Sequence, residues 1–335
     1  MEEDELRDED EKMDEQGPGS EKILQLIKGY SKVEREDFTN NLLTFANKRD
    51  KRQIDILLPA LQELAQDEFA DIKKALLNQI TPLVALITEN FGEMGYQQIC
   101  GTAFPLLDSL LYDEKEDVRD RAIQVVAEIR TVVKEDWKEH VMRLALGLAH
   151  DEQDKLRESA IKLLNEVSGD MGQQINECYV VNEFRALGLD EQTSVRCTLA
   201  QNLANVSKNI STDVFSQQLF PLYDGLTQDK EWKVRKACAD VVAQIAEVTP
   251  MDRDSQSLQR LYYRFLLDPS SKIVRGTAFQ NIGPFIATLK DSASIDQRIT
   301  DFFVNTTMKT NNKDVCYYAS FNFPAFIWVT GQPEW

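Results

Sequence analysis

Residues 226–245 read LTQDKEWKVRKACADVVAQI, and the fold follows from the spacing inside this stretch. Val234, Cys238, Val242 and Ile245 stand at 0, +4, +8 and +11, one face of a helix at 3.6 residues per turn. Leu226 lies eight residues before Val234 and Asp229 five before it. The polar run Asp229 to Lys233 between them reads as a tight turn. Its carboxylate is placed to satisfy backbone N–H groups at the start of the second helix and to meet that helix's positive dipole end.

Outward from this stretch the same pattern recurs. An aliphatic residue followed by a base occurs at Ile72-Lys73, Val118-Arg119, Leu156-Arg157, Val195-Arg196, Val234-Arg235 and Val274-Arg275, at intervals of 46, 38, 39, 39 and 40 residues. Eight residues before each stand Leu64, Leu110, Leu148, Leu187, Leu226 and Leu266. Five before stand Asp67, Asp113, Asp151, Asp190 and Asp229, with Asp268 displaced by one. At +8 and +11 the positions are aliphatic or aromatic throughout, from Ile80 and Leu83 to Ile282 and Phe285. Upstream of each anchor lies a second amphipathic stretch, such as Ile54, Leu57, Leu58, Leu61 and Leu64. Pro59, Pro105 and Pro221 each fall 13 residues before their anchor, where a proline bends a helix.

Each unit is therefore a helix–turn–helix of about 40 residues, the length of HEAT and armadillo repeats. One pair cannot bury its apolar face alone, and stacking of neighbours makes the core continuous. The expected fold class is all-α: a right-handed α-solenoid of about six full repeats with terminal capping helices. The domain reading is an acidic, disordered tail over 1–22, capping helices over 23–52, the repeat array over 53–292 and a partial terminal repeat over 293–335. The tail holds eleven acidic and three basic residues and has little to bury. In the terminal segment Val315 is the anchor, but Thr307 replaces the leucine and Cys316 the base. Its aromatics, among them Tyr317, Phe321 and Trp328, either fold inward as a cap, or bind a partner, or face a continuation of the protein.

Composition excludes several functions. The chain of 335 residues carries 38 basic and 56 acidic side chains, a formal charge of −18. Nucleic-acid binding needs the opposite sign. No run of about 18 apolar residues exists to span a bilayer, so no membrane partner is expected. Five scattered cysteines without a C-x-x-C read as a reducing compartment, the cytoplasm with the nucleus as an alternative. The sequence has two histidines, His140 and His150, and lacks the metalloprotease, phosphate-loop, dinucleotide and nucleophile-elbow motifs. No catalytic residue, metal site or cofactor is expected, and the chain reads as a non-enzyme.

Function then rests on surface. Trp232, flanked by Lys230 and Lys233, stands in an otherwise polar turn and is the leading protein-binding candidate, with local packing against the next turn as the equal alternative. The pairs Asp113 and Arg119, Asp151 and Arg157, Asp190 and Arg196, Asp229 and Arg235 read as a structural ladder that ties turn to turn.

The Asp-x-x-x-x-Val-Arg turns resemble those of HEAT-repeat regulatory and scaffold subunits of Ser/Thr protein phosphatases. Residues 229–235 are similar to a turn of the phosphatase 2A scaffold A subunit. Residues 234–239 (VRKACA), 279–287 (FQNIGPFIA) and 321–325 (FNFPA) are closer to the phosphatase 4 regulatory subunit 1 type. The resemblance implies a subunit that holds a phosphatase catalytic subunit and steers its substrates, and further regulatory subunits or substrates as partners. It also implies that turns along one ridge hold those partners, which carries over to Asp229–Arg235 with Trp232 as contact. A generic HEAT adaptor or a transport-receptor-like binder is the alternative.

Overall fold

The computed structural model describes residues 28–46, 51–133, 136–289 and 295–331. The acidic stretch 1–22 lies outside the described residues, as do residues 23–27 and 47–50 of the capping segment. Among the described residues there is no strand. The helices are α1 (Lys32–Asn40), α2 (Leu42–Ala46), α3 (Lys51–Ala65), α4 (Ala70–Leu111), α5 (Glu116–Glu128) and α6 (Asp136–Ala149). They continue as α7 (Asp154–Met171), α8 (173–187), α9 (Thr193–Ser207), α10 (212–227), α11 (Trp232–Val248) and α12 (Ser255–Leu266). The last are α13 (Lys272–Gln280), α14 (Ile282–Leu289), α15 (Gln297–Met308) and α16 (Lys313–Thr330).

The chain divides into two compact bodies between Leu144 and Ala145. In the N-terminal body α4 is two helices in sequence. Gly92, at φ 60° and ψ −146°, breaks it in a conformation that a side chain would resist. Residues 70–91 complete the pair begun by α3, and residues 93–111 begin the pair completed by α5. Pro59 and Pro105 lie inside α3 and α4 without ending either. In the C-terminal body the second helices pack in series, α7 on α9, α9 on α11, α11 on α13 and α14, and α14 on α16. The segment after residue 292 forms a complete pair, α15 and α16, where the sequence pattern had faded.

The aligned columns are the core. Leu64, Leu110, Leu148, Leu187, Leu226 and Leu266 are all buried, as are the six anchors from Ile72 to Val274. So are Ile80, Val126, Leu164, Leu203, Val242 and Ile282 at +8. Each such side chain contributes about 1.5–3 kcal/mol on leaving water. Small residues at +4 (Ala122, Ala160, Cys238, Ala278) are fully buried and let the helices approach.

In α8 and α10 one turn is wound as a π-helix, at Asn176–Val180 and Phe215–Leu219. In α10 Pro221 lies two residues past the π turn and has no N–H to offer the carbonyl four residues back.

The gap between α13 and α14 also falls at a proline. Pro284 cannot donate to Gln280 O, and Gly283 N is drawn away from Phe279 O. The side chain of Asn322 from α16 fills the break. Its Oδ1 accepts from Gly283 N at 3.0 Å, and its Nδ2 donates to Phe279 O at 3.1 Å, Gln280 O at 3.2 Å and Tyr318 O at 2.8 Å. A Cβ on Gly283 would sit 2.5 Å from Asn322 Oδ1, so this contact requires glycine. Residues 279–287 and 321–325 are thus the two halves of one contact.

Candidate protein-interaction ridge

The turns between paired helices share one construction. The Asp column sits two residues before the first residue of the second helix's cap and accepts its backbone N–H. Lys115 N donates to Asp113 Oδ1, Gln153 N to Asp151 Oδ1, Gln192 N to Asp190 Oδ1 and Glu231 N to Asp229 Oδ1, each at 2.8 Å. None of Lys115, Gln153, Gln192 or Glu231 caps its helix with its own side chain, so the aspartate does that work.

The arginine one residue after each anchor folds back over its own turn. Arg119 Nη1 donates to Asp113 O at 2.8 Å, Arg157 Nη1 to Asp151 O at 2.9 Å, and Arg196 and Arg235 Nη1 to Asp190 O and Asp229 O at 2.7 Å. In the C-terminal body the other edge of the guanidinium forks onto the aspartate of the next turn. Arg157 Nε lies 2.6 Å from Asp190 Oδ2, Arg196 Nε 2.7 Å from Asp229 Oδ2 and Arg235 Nε 2.6 Å from Asp268 Oδ2. Each Nη2 reaches the second oxygen at 3.0–3.1 Å, the parallel geometry in which arginine binds carboxylates most strongly.

Burial alone would raise the carboxyl groups of Asp190, Asp229 and Asp268. The arginine fork and the turn N–H groups outweigh it and hold all three below the usual carboxylate range. Hydrogen bonding to these carboxylates raises Arg157, Arg196 and Arg235 in turn.

In the N-terminal body Lys73 Nζ reaches Asp113 Oδ2 at 2.6 Å, and Arg35 Nε reaches Asp67 Oδ2 at 2.7 Å. Arg35 lies in the segment read as capping helices, 38 residues before Lys73. Its base column was present in the sequence, but Glu34 stands where the aliphatic anchor should be, which hid it.

Trp232 opens α11 on the solvent side of this ladder. It is 36 % exposed, and its indole makes no hydrogen bond or ring contact with the described residues. Lys230 and Lys233 beside it are exposed. Grooves of about 820 Å³ and about 400 Å³ lie between the ladder turns of the C-terminal body, the first along Leu189, Asp190, Leu222 and Lys230, the second along Gln228, Tyr263, Leu267 and Pro269. Leu189 at 83 % and Leu267 at 49 % exposure add apolar tips to the same ridge. Each directly precedes a ladder aspartate, a position the sequence reading passed over. An aliphatic residue in an otherwise polar turn was the available signal.

The histidines form separate contacts. His140 Nε2 pairs with Asp108 Oδ1 at 2.8 Å and its ring lies 4.7 Å from Phe104, while His150 Nε2 is 3.4 Å from Glu183 Oε2. Neither takes the adjacent carboxylate, Glu139 or Asp151. Among the described residues no three His, Cys, Asp or Glu side chains cluster as a metal site, and no helix is long and apolar enough to cross a membrane. Burial raises the thiols of Cys197 and Cys238, which suits packing.

In the last pair the aromatics divide. Phe326 is buried and stacks on Phe303 at 4.2 Å, whereas Tyr317, Phe321 and Trp328 are each about two-thirds exposed.

The HEAT repeat family profile matches residues 219–249. That segment is a HEAT repeat. It contains the Asp229–Arg235 turn, Trp232 and all of α11. No curated protein matches the sequence. Among solved structures, Kap121p is similar with a TM-score of 0.53 and 13% identity, over 89% of this chain and 34% of that one. The karyopherin Kap121p bound to the extreme C-terminus of the protein phosphatase Cdc14p is similar with a TM-score of 0.54 and 12% identity, over 89% and 34%. Kap121p bound to Nup53p is similar with a TM-score of 0.52 and 12% identity, over 89% and 33%. The chain thus spans about a third of the length of these relatives, and at this identity the likeness is one of fold. The chain has an all-α helical-repeat fold with HEAT-type pairs.

Proposed function

We propose that the chain is a non-catalytic HEAT-repeat adaptor that binds other proteins along its turn ridge. The observation that carries this reading is Trp232, a large aromatic side chain about a third exposed in an otherwise polar turn, on the ridge that the arginine–aspartate ladder ties together and that also carries open grooves. Pre-ordered aromatic anchors of this kind dominate protein interfaces, because little freedom is lost on binding. The neighbouring Kap121p structures, whose names describe protein-bound forms, support a protein as the partner class. The chain's residence would be the cytoplasm, with the nucleus as an alternative. Affinity capture from cell extract with wild-type chain and Trp232→Ala, read by mass spectrometry, tests the reading. Specific partners lost from the variant support it. Identical capture by both removes Trp232 as the anchor.

The second reading makes this adaptor a regulatory subunit of a Ser/Thr phosphatase. Residues 279–287 and 321–325 favour it, since their similarity to phosphatase 4 regulatory subunits falls on one three-dimensional contact. Its action would be to raise the effective concentration of substrates and other subunits beside a catalytic subunit. Recovery of a metallophosphatase catalytic subunit in the capture supports this reading. Recovery of cargo that a nucleotide switch releases supports a transport receptor instead.

A further inference from the structure

In the C-terminal body the last ladder arginine is followed by a turn without an aspartate. Arg275 occupies the position of Arg157, Arg196 and Arg235, one residue after its anchor. Its Nη1 holds its own turn through Asp268 O, as theirs do. The next turn, however, reads Thr310-Asn311-Asn312. Thr310 stands five residues before the anchor Val315, where the aspartate belongs. Its hydroxyl keeps the turn bond, accepting from Asn312 N at 3.0 Å, but it brings no charge. The Nε and Nη2 edge of Arg275 therefore has no acceptor among the described residues, and its side chain is exposed.

Arg275 lines a cleft of about 700 Å³ in the same body, together with Lys272, Ile273, Phe279, Phe302, Val315 and Tyr318. Lys272 places a second cation on the rim, in a chain whose formal charge is −18. Asp314 shares the rim and makes no ion pair with Arg275. Three turns of this body show what such a fork takes: a carboxylate at 2.6–2.7 Å from Nε. The apolar walls add room for a neighbouring hydrophobic side chain.

We propose that this cleft binds an acidic segment of a partner protein, in which an aspartate flanked by apolar residues completes the ladder in trans. The proposal rests on the adaptor reading and adds a second site and a ligand chemistry to it.

The test uses the full chain and two fluorescein-labelled octapeptides, one with a single Asp between Leu and Phe and its Asn twin, read by fluorescence anisotropy. The Asp peptide should bind about tenfold or more tightly than its twin, because a paired fork distinguishes carboxylate from amide. Arg275→Gln should bring it to the level of the twin, and Arg275→Lys, which keeps the charge without the fork, should fall between. Thr310→Asp should supply the missing carboxylate within the chain, block the peptide and raise the melting temperature.

Equal binding of the two peptides overturns the proposal, as does no saturable binding up to about 1 mM. So does a Thr310→Asp variant, folded by circular dichroism, that binds like wild type. Displacement by sulfate as effective as by the peptide, at matched ionic strength, marks a generic anion spot and also overturns it. Failure of these peptides while Trp232-dependent capture persists removes the cleft and leaves the adaptor reading standing.

Discussion

The turn at Arg235 and the turn at Lys73 link neighbouring pairs with different chemistry. Arg235 uses one edge of its guanidinium on Asp229 O and Lys230 O of its own turn, and the other on Asp268, whose side chain is 4 % exposed. Lys73 reaches only Asp113, at one oxygen. An ammonium is a point donor, whereas a guanidinium is a planar fork that can serve two turns at once. The C-terminal body thus locks turn conformation and repeat spacing with the same residue. At Lys73 the two tasks are separate, and the interval to the next anchor is 46 residues instead of about 39.

Breaking each link should show the difference. Arg235→Gln leaves Asp268 buried without its charge partner and should cost about 3–5 kcal/mol in urea unfolding of the C-terminal body. Lys73→Gln, at a single charge-assisted contact, should cost about 1.5–3 kcal/mol in the N-terminal body. Equal losses at the two sites would remove the distinction between fork and point contact. Hydrogen exchange resolved along the chain reads the two bodies individually and is the suitable readout.

Acid gives a second test. Asp190, Asp229 and Asp268 have folded pKa values below the unfolded value of about 3.9, so the stability they add is complete above that value. It is lost as pH falls through the folded values. The C-terminal body should keep its denaturation midpoint down to about pH 5 and weaken below about pH 4. Asp229→Asn should remove part of that acid dependence. An acid profile unchanged by the substitution would show that the ladder does not control it.

Lys73→Arg sharpens the comparison. If the fork itself is what stabilises, the variant should gain about 0.5–1.5 kcal/mol by adding bonds to its own turn carbonyls. A loss would mean that the longer unit has no room for the fork. The smallest effect belongs to Trp232→Ala, which should change stability by about 0.5 kcal/mol or less while weakening partner capture.

The fold class was legible because its signal is local. Leu187 and Val195, or Leu226 and Val234, reveal the paired helices through spacing alone, and no information from other units is needed. The last pair was legible only in part. Thr310 replaces aspartate with a hydroxyl that keeps the turn bond, so the geometry persists after the pattern fades. Arg35 was hidden for the complementary reason: the base is present, but Glu34 interrupts the aliphatic column. At the ridge, sequence marked Trp232, Lys230 and Lys233 by chemistry. Leu189 and Leu267 needed the structure, because an aliphatic residue beside a buried column reads as core until its exposure is measured.

By itself the sequence determined which residues leave water and which face of each helix holds them, because hydrophobic periodicity acts within a single turn-and-helix unit. It also put a base and an acid at each turn. Only the tertiary structure decided which atoms meet: Asn322 filling the backbone gap made by Pro284, Arg275 left without a carboxylate among the described residues, and the division between Leu144 and Ala145. Those outcomes depend on stacking residues about 40 positions apart to within tenths of an ångström, a distance that no local pattern encodes.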